Sequence, residues 1–320
     1  NLTLHLIAMA AAGGIKLTWD DMNDISEATP LLARVYPNGS ADVNAMEAAG
    51  GLPFLIDQLR GAGYLHTDVR TLTENGLDDY GRVAKVAVDG TLSYEPAPAV
   101  SGLPDVLTTA DQPFQRNGGL RVLSGNLGRA VIKVSAVAPE NRIVEAPARV
   151  FTDQNQIQAA FQPGELHGDF VAVLRAQGPK ANGMPELHKL TTPLSVLQKL
   201  GFKVALVTDG RMSGASGKVP AAIHLTPEAS DGGPIARVQD GDIVRLDAEA
   251  GTLEVLVEAA EFAARPTAVV DMSQSHILMG RELFGAFRGA VGDSETGAGV
   301  FGDPGLTVPV PADAEKVVVG

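Results

Sequence analysis

Leu200-Gly-Phe-Lys-Val204-Ala-Leu-Val-Thr208-Asp209-Gly210-Arg211-Met-Ser213-Gly214-Ala-Ser216-Gly217 is the stretch on which the reading of this chain turns. Its first half is a short apolar, β-branched run of the kind a buried strand needs. It runs straight into a loop with three glycines, two serines, one aspartate and one arginine. Loops at strand ends are where backbone amides converge on an anion, and glycine lets them come close. Arg211 suits a carboxylate or phosphate, which its planar fork can hold through two parallel hydrogen bonds. The same residues also describe a plain Asp-Gly turn with Ser213 bonded to backbone. Pattern alone leaves both readings open.

Working outward, similar runs recur at Val131-Ile-Lys-Val134, Ala148-Arg-Val-Phe151, Phe170-Val-Ala-Val-Leu174 and Asp242-Ile-Val-Arg-Leu246, most of them separated by glycine or proline clusters. They predict a β-rich second half, sandwich or barrel-like, with helical interruptions at 155–161 and 193–200 and one more helix near 281–291. The first 75 residues read as helical. Residues 2–12 are rich in Ala and Leu and stop at Gly13-Gly14. Thr18 caps a second short helix that opens with Asp20 and Asp21. Residues 42–62 keep helical spacing but are split by Gly50-Gly51 and Pro53. Over 76–118 four prolines and a closing Gly118-Gly119 predict an extended crossing segment and a domain boundary.

Composition narrows the function. Glycine and proline number 36 and 20 in 320 residues, too few for a low-complexity chain. With 45% apolar and 20% charged residues the chain is an ordinary globular one, long enough for two domains. The N-terminus has no initiator Met and no basic signal-peptide start, and it reads as the interior of a longer protein. No apolar run reaches membrane-span length. The chain has no cysteine, so it supplies no disulfide, thiolate nucleophile or iron–sulfur ligand of its own. A net charge of −13 argues against nonspecific binding to nucleic acid or acidic membrane. The charge is uneven: residues 121–218 carry 12 basic against 7 acidic residues, while 1–120 carry 7 against 15 and 219–320 carry 6 against 16. A basic middle fits a small-anion site; it also fits a chance fluctuation on a solvated surface.

Two further clusters bear chemistry. Gln177-Gly-Pro-Lys180-Ala-Asn182-Gly183-Met-Pro185-Glu186-Leu-His188-Lys189 is a shaped loop. In it Glu186 is either a carboxylate ligand for a hard cation or the first turn of a helix with Pro185 at its first position. Ala222-Ile-His224-Leu-Thr226-Pro-Glu228-Ala-Ser-Asp231-Gly-Gly-Pro-Ile-Ala236 places a histidine in an apolar run, and Glu228 and Asp231 beside glycines. No His-Glu-x-x-His, P-loop, Rossmann fingerprint or Gly-x-Ser-x-Gly elbow is present. From residues alone the reading stops at a β-rich domain with a loop cluster suited to an anion, and leaves a metal ion at Glu186 open.

At these three clusters the chain resembles the dihydroxy-acid and 6-phosphogluconate dehydratase family. Gly183-Met-Pro-Glu186, Val207-Thr-Asp-Gly-Arg-Met-Ser-Gly214 and Thr226-Pro-Glu-Ala229 with Gly232-Gly-Pro-Ile-Ala236 and Gly241-Asp242 follow the family's order and spacing. Asn1-Leu-Thr-Leu-His-Leu-Ile-Ala8 is similar to the end of the family's Gly-Ser-Thr-Asn-x-x-x-His-Leu element, so the resemblance covers roughly a C-terminal half. Leu31-Leu-Ala-Arg-Val-Tyr-Pro-Asn-Gly-Ser-Ala-Asp-Val-Asn44 and Gly280-Arg-Glu-Leu-Phe-Gly-Ala-Phe-Arg288 resemble the phosphogluconate branch, and the amino-acid-pathway branch differs at both.

The resemblance implies an α/β plus β fold. Residues 1–118 would be the helical end of an N-terminal α/β domain plus the crossing segment, and 119–320 a β-barrel-like domain with a few helices. It implies dehydration of 6-phospho-D-gluconate to 2-dehydro-3-deoxy-6-phospho-D-gluconate, a step of the Entner–Doudoroff pathway, by a cytoplasmic homodimer. A 4Fe-4S cluster with ligands outside this chain and a divalent cation such as Mg2+ are the implied cofactors. Ser213 matches the family's base and Glu186 its metal-ligating glutamate. Thr208, Asp209, Gly210, Arg211 and Gly214 fall where the substrate would lie. From the charge pattern, Lys180, with Lys189 and Lys218, is the candidate for the 6-phosphate. The competing expectations are a dehydratase for dihydroxy acids or unphosphorylated aldonic acids, and a non-catalytic half that serves dimerisation or substrate capping.

Overall fold

The computed structural model describes residues 1–162, 164–212 and 217–300. It divides into two compact units, residues 24–119, and residues 1–23 with the chain from Leu120 onward. The division falls inside the second helix. Helices α1 (Leu2–Ala12) and α2 (Trp19–Ala28) open the chain. The first ends at Gly13, whose N–H reaches the carbonyls of Met9 and Ala10. The second starts at a reciprocal cap: Asp21 N–H donates to Thr18 Oγ1 at 3.1 Å and Thr18 N–H to Asp21 Oδ2 at 2.8 Å, so two otherwise orphaned donors are satisfied.

In the unit of residues 24–119, α3 (Val43–Ala48) gives way to α4 (Gly51–Gly61) at Gly50 and Gly51, whose φ angles are 128° and 63°. Only glycine adopts two such angles in succession at no steric cost, so the split read from the sequence is where the helix breaks. Ala49, Phe54, Val106 and Leu107 form this unit's core. The stretch expected to be a plain extended segment instead contains a hairpin, β1 (Arg82–Val86) antiparallel to β2 (Leu92–Pro96). Both strands are almost wholly exposed; β2 alternates apolar and polar residues over only five positions, and β1 (Arg-Val-Ala-Lys-Val) does not alternate at all.

The other unit is a closed barrel. Its strands are β3 (Leu120–Gly125), β4 (Gly128–Lys133), β5 (Ile143–Phe151), β6 (Phe170–Leu174), β7 (Val204–Thr208), β8 (Ala221–Thr226), β9 (Ile243–Asp247) and β10 (Thr252–Val255). Their order around the barrel is β10-β3-β4-β8-β7-β6-β5-β9, and closure leaves no edge open to another chain. From β5 to β8 neighbours run parallel, and this requires crossover connections. Helix α5 (Gln154–Phe161) supplies one; α6 (Pro179–Asn182) and α7 (Thr191–Lys199) lie in the next. Helices α8 (Ala259–Ala264) and α9 (Leu283–Ala290) follow the barrel.

Strand periodicity explains why the parallel strands read as unbroken apolar runs. In β6, Val171 and Val173 belong to the barrel interior, while Phe170, Ala172 and Leu174 join the layer under α5 and α7 with Leu187, Leu190, Leu194 and Leu197. Both faces are buried, so every residue must be apolar. Three strands escape the sequence reading. β3 and β8 carry Arg, Ser, His and Thr among their apolar residues, and β10 is only four residues long.

Candidate active site

The register places Phe151, Leu174 and Thr208 level at the ends of β5, β6 and β7. Parallel strands deliver their following loops to one rim, and this is where such folds hold ligands. Asp209 ties the rim together. Its carboxylate accepts from the N–H groups of Ala176 (3.0 Å) and Gln177 (2.8 Å) after β6, and of Ala229 (3.0 Å) after β8. Gln177 Nε2 donates in turn to Thr152 O at 2.8 Å, after β5. Asp209 and Thr208 are fully buried. Burial pushes the Asp209 carboxyl above its ordinary range, and the three backbone donors pull against it. The motif marks both residues as substrate-facing. Their burial makes them supports of the rim, with no open face toward a ligand.

Glu228 supports the next loop. It is 2% exposed and accepts from the N–H groups of Lys180 (3.1 Å) and Ala181 (3.0 Å). Burial, then the charges of Asp209 and Asp231, push its carboxyl up to about 7 against the pull of those donors. Gly178 makes the approach possible. A Cβ there would stand 2.7 Å from Glu228 Cδ and 2.9 Å from its Cβ, so no larger residue fits without displacing the loop or the carboxylate.

Lys180 points back to the barrel, with Nζ at 2.7 Å from both carboxylate oxygens of Asp231. Lys189 Nζ donates to Asn155 Oδ1 at 2.7 Å, and Lys218 is exposed. Lys180 and Lys189 are thus each engaged by a side chain of the protein itself.

Glu186 and Arg211, 25 residues apart in sequence, form a parallel backbone bridge. Leu187 N–H donates to Arg211 O at 3.3 Å, and Arg211 Nε donates to Met184 O at 2.7 Å. Pro185-Glu186 does not open a helix; Gly183 and Met184 take left-handed angles of 64° and 53°, and the chain runs on as a strap beside the turn after β7. The Glu186 side chain is exposed there and Arg211 half-buried. Gly210 N–H donates to Thr208 Oγ1 at 3.0 Å, and Gly210 O accepts from His224 N–H at 2.9 Å. Ser213 and Gly214 lie outside the described residues.

His224 sits under this turn. It is fully buried at a left-handed φ of 59°, where β8 slips register against β4. Its Nδ1 is 3.2 Å from Thr3 Oγ1, and its Nε2 has no partner among the described residues. Burial drives its pKa down to about 3, so the ring is neutral at physiological pH.

The donor set bears on which cofactors fit. With no cysteine the chain offers no thiolate to an iron–sulfur cluster. Among the described residues no three His, Asp or Glu side chains stand together to hold a metal ion. What Glu186 fits is one hard carboxylate ligand to a cation completed from elsewhere.

A family model described as dihydroxy-acid/6-phosphogluconate dehydratase C-terminal matches residues 105–298, and its N-terminal counterpart matches residues 1–80. The chain belongs to the dihydroxy-acid/6-phosphogluconate dehydratase family. Among curated relatives, the phosphogluconate dehydratase of Rhizobium meliloti is 59% identical over 301 residues, covering 94% of this chain and 50% of that protein. That of Pseudomonas aeruginosa is 56% identical over 301 residues, 94% of this chain and 49% of that protein. The dihydroxy-acid dehydratase of Nitratidesulfovibrio vulgaris is 36% identical over 279 residues, 86% of this chain and 47% of that protein. The chain thus spans about half the length of the curated relatives it matches. The family resemblance and the barrel expected from it are both borne out. The described residues of the family motifs lie at the rim; sequence reasoning assigned no role to Glu228 and missed its partnership with Gly178, since nothing in the local pattern pairs residues fifty positions apart.

Proposed function

We propose that the polypeptide containing this chain dehydrates 6-phospho-D-gluconate to 2-dehydro-3-deoxy-6-phospho-D-gluconate, and that the rim after β6 and β7 is this half's share of the active site. The observation that carries the reading is the backbone bridge between Glu186 and Arg211, which sets two family motifs edge to edge. Identity of 59% and 56% to two phosphogluconate dehydratases, against 36% to a dihydroxy-acid dehydratase, favours the phosphorylated substrate.

The chemistry removes the C2 proton and the C3 hydroxyl as water, after which the enol becomes the ketone. A cluster and a divalent cation held largely by the rest of the polypeptide would supply Lewis acidity toward hydroxyl and carboxylate. Glu186 would offer the cation one carboxylate oxygen. Ser213 would take the C2 proton. As a poor base it needs a field that favours its ionised form, and Arg211, two residues earlier in sequence, carries the nearest charge in its motif. The homodimeric, cytoplasmic setting implied by the family is part of the same proposal; no helix among the described residues is long and apolar enough to cross a membrane.

The test is turnover by the complete polypeptide, prepared anaerobically, on 6-phosphogluconate, gluconate and dihydroxyisovalerate. The reading expects 6-phosphogluconate to be preferred and Ser213→Ala to lower kcat by about 100-fold or more. Near-normal turnover by that variant removes Ser213 from the role, and preference for either other acid removes the substrate assignment.

A further inference from the structure

Next to the strap that carries Glu186 is a cavity of about 290 Å³. One wall is Pro179, Asn182 and Gly183; the other is built by the segment from Ser275 to Val291, including His276, Phe284, Phe287 and Arg288. We propose that this cavity is the subsite for the substrate's phosphate, with Arg288 as its cationic partner and His276 beside it. The proposal rests on the phosphogluconate reading above and adds a location and residues to it.

The lining has the chemistry of an anion site. No carboxylate stands among its described lining residues, although residues 219–320 carry 16 acidic side chains against 6 basic ones. Arg288 Nη1 donates to Gly280 O. That bond engages one nitrogen and leaves the other donors without a partner among the described residues, and a planar fork matches phosphate oxygens. His276 Nε2 is 2.7 Å from Ala181 O. A carbonyl only accepts, so Nε2 carries the proton and Nδ1 remains for a ligand in the cavity. Ser275 adds a hydroxyl. Phe284 and Phe287 supply an apolar wall that limits water and strengthens the ionic contacts.

Position agrees with this. Gly183 lines the cavity and Glu186 is three residues on, at most about 11 Å along an extended chain. One phosphorylated six-carbon acid can therefore reach both. The strap is braced from the cavity side by His276 on Ala181 and by Ser294, whose Oγ lies 4.0 Å from Met184 Sδ. Lys180 and Lys189, by contrast, are engaged with Asp231 and Asn155.

The test uses the complete polypeptide and measures kcat/KM for 6-phosphogluconate and for gluconate in the wild type, Arg288→Gln, Arg288→Lys and His276→Gln. Wild-type turnover of 6-phosphogluconate decides the functional reading first, independently of the subsite. Given that turnover, Arg288→Gln should lower the phosphorylated-to-unphosphorylated preference by about 10- to 100-fold, mainly through KM. His276→Gln should lower it less, and Arg288→Lys should recover part of it. Inorganic phosphate should compete with 6-phosphogluconate in the wild type, and more weakly in Arg288→Gln. An unchanged preference in both Gln variants, or phosphate inhibition that Arg288→Gln leaves intact, overturns the proposal.

Discussion

Replacing Glu228 by glutamine tests the electrostatics that hold the strap. The side chain is 2% exposed and receives two backbone N–H groups, yet its carboxyl is pushed up to about 7 from an ordinary 4.5. Between those values the folded protein holds a proton that the unfolded chain has released. Stability should therefore fall as pH rises from about 4.5 to about 7 and level off above that. At roughly 1.4 kcal/mol per pH unit the gap amounts to about 3 kcal/mol. Glutamine keeps the volume and one acceptor oxygen for the two donors but does not ionise. Denaturant unfolding at several values between about pH 5 and pH 8, followed by the single buried Trp19 of this half, should show wild-type stability declining relative to Glu228→Gln by up to that amount. Amide exchange at Lys180 and Ala181 reports the same site locally. Parallel pH profiles for the two proteins would refute the reasoning.

Other substitutions test the packing around it. Gly178→Ala drives a Cβ into Glu228 and should cost about 1–3 kcal/mol; Glu228→Ala in the same chain should recover part of that, and strictly additive effects would show that the two do not collide. Asp209→Ala strips the acceptor from three buried N–H groups and should destabilise by more than about 3 kcal/mol in thermal unfolding; a loss under about 1 kcal/mol would mean that the rim is held by other contacts. Phe54→Ala should cost about 3–5 kcal/mol, read as lost exchange protection confined to residues 24–119, and loss spread equally over the barrel would contradict the division into two units.

Much of the site was legible in the order of residues. A glycine-rich loop after an all-apolar run announces a strand end able to face an anion, and Val204–Thr208 followed by Asp209-Gly210-Arg211 is such a case. What local pattern could not do was choose between roles for one residue. Pro185-Glu186 fits a helix start equally well. It becomes a strap because its backbone pairs with Arg211, a partner specified only when β6 and β7 lie side by side. Asp209 carries the charge of a ligand-binding residue, and burial under three loops turns it into a brace. Lys180 looked available to a phosphate until Asp231, 51 positions on, was folded against it.

The amino-acid order by itself determined the barrel strands buried on both sides, the caps at Gly13 and Thr18, the break at Gly50-Gly51 and the absence of thiolate ligands. Each follows from side-chain chemistry within a few residues along the chain. Tertiary structure alone decided the paired roles of Gly178 and Glu228, the neutral buried state of His224 and the cavity beside Arg288. These depend on burial and on contacts between distant segments, and so on the desolvation and close approach that exist only after the chain has closed on itself.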